Sequence, residues 1–115
     1  AISLREAAPD RIGARLRELA EKARSMVRHS LEALMNMDAD MARAVLEADN
    51  EVDEDYYALV GELKQHMAAR PDKNEATVGW LLAAKHIERI ADLATNIAED
   101  TIYTVDGEIV RHRSC

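Results

Sequence analysis

The sequence predicts an all-α fold, an antiparallel three-helix bundle, and three observations carry that prediction. Two prolines and four glycines in 115 residues leave long stretches without a helix breaker. Ala, Leu, Glu and Arg dominate, and Phe is absent. Apolar residues recur at helical spacing in three blocks parted by short interruptions.

The first block follows a lead-in, Ala1 to Ala8, with Pro9 suited to a first helical turn. Over about 10–35 the apolar positions are Ile12, Leu16, Leu19, Ala23, Met26, Val27, Leu31 and Leu34. The other side carries Arg17/Glu21 and Glu18/Lys22, pairs four apart that support a solvated helical face. Asn36-Met-Asp38 interrupts the pattern, and Asp38 is placed to cap a second helix over about 38–69. That helix ends ahead of Pro71. Arg70 to Asn74 is a loop, with Asn74 in position to cap a third helix over about 75–103. Gly107 marks its end, before a basic tail, within 104–115, that includes Arg111-His-Arg113. The whole of 1–115 reads as a single domain, with enough chain for a real core.

Composition narrows the function. A net charge of −7 argues against a nucleic-acid surface, which needs clustered Lys and Arg. No run of about 18 apolar residues is present to span a membrane. Cys115 is the only cysteine, which fits a reducing cytoplasm and leaves no cysteine-based zinc site within one chain. The chain starts at Ala, as expected of a processed N-terminus or a fragment. No phosphate loop, nucleophile motif or HExxH stretch appears, so the chain does not read as an enzyme. His86 reads as a packing residue; His29, His66 and His112 lack partners at ligand spacing.

Two acidic pairs stand out. Glu88 and Asp92 are four apart on the third helix, with Asn96 and Glu99 continuing the stripe. Asp49 and Asp53 repeat the spacing on the second helix and fall inside its apolar arc, whereas Glu51, Glu54, Asp55 and Glu62 lie opposite. A carboxylate in an apolar stripe must be paired, hydrogen-bonded, protonated or metal-bound. Capping or pairing by Lys and Arg, a metal site, and chance placement at the rim are the three readings. If metal is bound, oxygen donors suit magnesium, calcium, manganese or iron. The Glu-x-x-His pattern of ferritin-like oxidases is missing, which disfavours oxidation chemistry.

The third helix is apolar over an unusually wide arc. Its polar residues cover only roughly 140°, so a second copy or a missing half is expected to cover the surplus.

His86-Ile-Glu-Arg-Ile-Ala-Asp-Leu-Ala-Thr-Asn-Ile-Ala-Glu99, followed by Ile102-Tyr and Gly107-Glu-Ile-Val-Arg-His112, closely resembles the C-terminal repeat of the PhoU family. Ala44-Val-Leu-Glu-Ala-Asp-Asn-Glu-Val-Asp53 resembles the second helix of that repeat. The resemblance implies a cytoplasmic, all-helical protein built from two tandem three-helix repeats, of which this chain holds one. It further implies a non-catalytic negative regulator of phosphate uptake and phosphate-starvation signalling. The implied partners are the ATPase of the phosphate ABC transporter and a sensor histidine kinase. Acidic motifs in some members bind iron, zinc or other metals. Carried over, these motifs land on Asp49 and Asp53 and on Glu88 and Asp92, with Asn96 and Glu99 auxiliary. The family often has Gly and His where this chain has Ala91 and Leu93. A chain with one repeat is expected to pair with itself or with a missing N-terminal repeat. The competing readings are a carboxylate-bridged metal protein with redox or storage activity, and a purely structural dimerisation module.

Overall fold

A computed structural model describes the backbone of residues 4–114 and the side-chain surroundings of 11–109 and 111. Three helices follow one another: α1 (Leu4–Asn36), α2 (Ala39–Ala69) and α3 (Asn74–Ser114), with a 3-10 turn, Pro71–Lys73, before α3. Each helix packs against both others, in a rod 72 × 20 × 16 Å. The expected three-helix architecture is therefore present.

The α1–α2 turn is closed on both sides by named groups. Met37 takes φ 52°, in the left-handed region. Its N–H donates to Leu34 O and that of Asp38 to Ala33 O, which satisfies carbonyls at the end of α1. Asp38 caps α2 as expected, its carboxylate accepting from Met41 N–H at 3.0 Å.

Several boundaries differ from the sequence reading. α1 begins at Leu4, so Pro9 is its sixth residue and not in its first turn. Arg5, Glu6, Ala7 and Ala8 are good helix formers and extend it backwards. Asn74 does not cap α3; it is already helical, at φ −57° and ψ −35°, and the 3-10 turn leads into it. α3 does not stop near Tyr103 but runs through Gly107 to Ser114. Gly107 has no positive φ, and the pair Arg111–Glu108 at 2.8 Å braces the turn that follows. Its neighbours thus carry the helix through a residue that only weakens it. Cys115 lies outside the described residues.

The core is made of large residues from α1 and α2 and small ones from α3. Ile12, Leu19, Met26, Val45, Leu59 and Leu63 are all buried. α3 meets them with Thr77, Ala84, Ala91, Ala94, Ala98 and Thr101, a seam slim enough for close helix approach. The hydroxyls of Thr77 and Thr101 donate to Lys73 O and Ile97 O, so burial leaves neither unsatisfied. Because small residues fill the seam, large aliphatics are left outside: Leu82 is 52% exposed, Ile90 43% and Leu93 59%. On α1, buried Ser30 and Ala33 take core places, and Leu31 and Leu34, read from sequence as inward, face out at 43% and 41%. His86 is also exposed, not packed. Instead His66 is the histidine that packs, edge-on to Trp80 and within 3.0 Å of Thr77 Oγ1.

Ion pairs tie α1 to α2. Lys22 contacts Glu18 at 3.5 Å, Glu51 at 2.7 Å and also Asp55. Arg15 reaches Glu62 at 3.1 Å and Arg11 reaches it at 3.8 Å. The expected Glu18–Lys22 pair forms, but Glu21 pairs with Arg24 at 3.7 Å and not with Arg17. Glu51, Asp55 and Glu62, read as simply solvent-facing, are bridging groups.

Candidate functional site

The burial pattern along α2 gives Asp49 an unusual place. Ala42, Asp49, Tyr56 and Leu63 repeat every seven residues, and all but Asp49 are buried; Asp49 is half-buried. A seven-residue repeat keeps side chains on one helical face, so Asp49 interrupts a core row. Asp53 stands in the neighbouring half-buried row with Leu46, Val60 and Met67. On α3, Glu88 shares a half-buried row with Leu81, Thr95 and Ile102, and Asp92 stands in the exposed row beside it. Each helix thus presents one inner and one outer carboxylate to the α2–α3 seam.

Two of these groups, Asp49 and Glu88, are shifted by burial and by their acidic neighbours. Burial pushes the Asp49 carboxyl above the ordinary carboxylate range, and the charges of Asp53, Asp92 and Glu88 add to the shift. Burial also raises Glu88, with further upward pushes from Asp92 and Asp53 and an opposing pull from Lys85. The charges of each pair are thus felt across the α2–α3 seam by the inner carboxylate of the other. Asn96 and Glu99 are exposed and are not among the groups that shift Asp49 or Glu88. Glu99 lies seven residues beyond Asp92, about 10 Å along the axis.

Tyr56 is a neighbour that the acidic spacing alone did not single out. It is buried, touches Tyr57 edge-on with ring centres 5.4 Å apart, and has its hydroxyl pKa raised by burial and then by Glu88. Its place one repeat after Asp49 was the available signal.

The donors fit a hard cation in kind, being carboxylate oxygens. Asp49 Oδ1 is buried without a hydrogen-bond partner, so one oxygen on the seam is unsatisfied. In position the fit is incomplete: among the described residues no three His, Cys, Asp or Glu side chains are gathered so as to hold a metal ion. As they stand the carboxylates form an open row, not a closed ligand shell.

The family model described as PhoU domain matches residues 16–101. A phosphate-specific transport system accessory protein PhoU homolog of Pseudomonas putida is 36% identical over 97 residues, covering 84% of this chain and 38% of the relative. The protein of the same description from Burkholderia sp is 37% identical over 102 residues, covering 89% and 43%. That from Clostridium acetobutylicum is 34% identical over 92 residues, covering 80% and 42%. The chain spans about two-fifths of the length of these relatives. No solved structure matches it.

Proposed function

The chain belongs to the PhoU family, and on that premise we propose that it is a non-catalytic regulator that restrains phosphate uptake and phosphate-starvation signalling by contact. Its partners in this reading are the ATPase of a phosphate ABC transporter and a sensor histidine kinase, met in the cytoplasm. The observation that carries the reading is the match over residues 16–101, together with relatives described as accessory proteins of phosphate-specific transport. Among the described residues no helix is long and apolar enough to cross a membrane.

The α1–α3 face supports a second part of the proposal. Leu31 and Ile90 are each 43% exposed there, Leu34 and Leu93 are exposed on the same two helices, and a groove of about 470 Å³ with Val27 and Ile87 in its walls runs between the helices. A face this apolar needs cover. Another three-helix unit supplies it, either a second copy or the remaining part of a longer chain.

Asp49, Asp53, Glu88 and Asp92 are the residues proposed to draw a cation such as iron, zinc, magnesium or manganese to the seam, closing around it by side-chain rotation. A bound cation would supply positive charge between two helices whose carboxylates otherwise repel. Purified transporter ATPase and the kinase's cytoplasmic part, each titrated against this chain, test the regulatory reading. Saturable binding to at least one supports it; no binding to either removes it.

A further inference from the structure

The third face of the bundle, between α1 and α2, carries an open trough of about 650 Å³. Its floor is apolar, formed by Met26, Val45 and Val52. Its α2 wall is low because Ala44 and Ala48, one turn apart, are both small and exposed, and Ser25 is the small residue facing them from α1. Among the lining residues that middle stretch carries no Asp, Glu, Lys or Arg; its polar groups are Ser25 and His29, with Ser25 Oγ 3.3 Å from His29 Nδ1.

Both ends are negative. At one end Asp38 and Asp40 line the trough; Arg43 pairs with Asp40 at 3.1 Å, and Asp38 accepts from Met41 N–H. At the other, Lys22 is a single positive charge shared by Glu18, Glu51 and Asp55. Asp40 and Glu51 are eleven residues apart on one helix, about 16 Å or three turns. A small apolar channel with a negative group at each end suits a helix that lays a slim apolar stripe along it and carries a cation at either end.

We propose that this trough is the docking surface for an amphipathic helix of a protein partner, with Lys or Arg about three turns apart flanking small or aliphatic residues. The inference rests on the contact-regulator reading and specifies the surface that makes the contact. Opposite charges steer such an encounter and fix its register, and the salt between them is displaced on docking.

Ala44→Arg combined with Ala48→Arg fills the trough with bulk and positive charge at two exposed positions, and thermal melting followed by circular dichroism confirms that the fold is kept. The probes are the transporter ATPase and the cytoplasmic part of the kinase, titrated at low and at high salt. The expected result is a loss of affinity of about tenfold or more in the double variant, weakening of wild-type binding in high salt, and no loss in Tyr103→Ser, an exposed position on α3 outside the trough. Binding of the double variant within about twofold of wild type, or wild-type binding indifferent to salt, overturns the trough and leaves the regulatory reading intact. If the double variant loses self-association while keeping partner binding, the trough is an interface between copies and the proposal falls. If neither probe binds the wild type, both the reading and the proposal fall.

Discussion

Burial raises the pKa of Asp49 on α2, and the charge of Glu88 on α3 adds to the rise although the two lie 39 positions apart in the chain. The fold brings like charges together along a half-buried seam, where repulsion is screened less than in water. A seam of this kind costs stability unless protons or cations neutralise it.

Proton linkage follows with a definite sign. Both Asp49 and Glu88 have folded pKa values above their ordinary ones, so the folded state holds more protons than the unfolded state between those values. Stability therefore falls as pH rises from the ordinary carboxylate range through the raised folded values. Asp49→Asn and Glu88→Gln are expected to flatten this part of the stability curve and to raise the melting temperature at neutral pH. Calorimetry across mildly acidic to neutral pH checks it; variants as pH-sensitive as the wild type in that range would contradict it.

The α1–α2 turn offers a stabilising change. Met37 holds φ 52° with a side chain, a conformation that costs roughly 1 kcal/mol outside glycine. Met37→Gly is expected to gain up to that amount, with the melting temperature rising by about 4 °C. A drop in chemical denaturation midpoint for this variant would show that Met37 contributes packing that outweighs its strain.

Lys22 is the charge that makes three carboxylates compatible. The hydrogen bonds that Lys22 Nζ donates to the Asp55 and Glu51 carboxylates hold its ammonium pKa above the usual value. Lys22→Met leaves Glu18, Glu51 and Asp55 facing one another and is expected to destabilise by about 1 kcal/mol at low salt, less at high salt. Urea titrations at two salt concentrations measure both quantities. A loss that does not shrink with salt would mean that the methylene stem, not the charge, is what matters.

The surplus apolar face predicts association. Wild-type chain is expected to sediment as a dimer or larger species as concentration rises, and Ile90→Asp with Leu93→Asp to restore the monomer without loss of helicity. A wild type that stays monomeric at high concentration, with the double variant indistinguishable from it, argues that this face is covered only by additional chain.

Much of this was legible in the residues. Helical periodicity alone placed Asp49 and Asp53 inside the α2 apolar arc, because position on a wheel follows from spacing. The width of the α3 apolar arc likewise announced a surplus, and the structure assigns exposed Leu82, Ile90 and Leu93 to that helix. Less legible was which row faces inward where small residues pack: Ser30 and Ala33 displaced Leu31 and Leu34 because close approach rewards slimness over hydrophobicity. The Lys22 cluster was hidden because its strongest partners lie 29 and 33 positions away, beyond any local rule. The end of α3 was missed because a glycine weakens a helix without obliging it to stop.

The seam's claim to act as one group is tested most directly by calorimetric titration of manganese(II) into the wild type, Asp49→Asn and Glu88→Gln. A shared seam predicts saturable binding to the wild type and a loss of about tenfold or more in each variant, since each removes a donor from a different helix. Equal binding by all three proteins, or a loss confined to the variant on one helix, would contradict it.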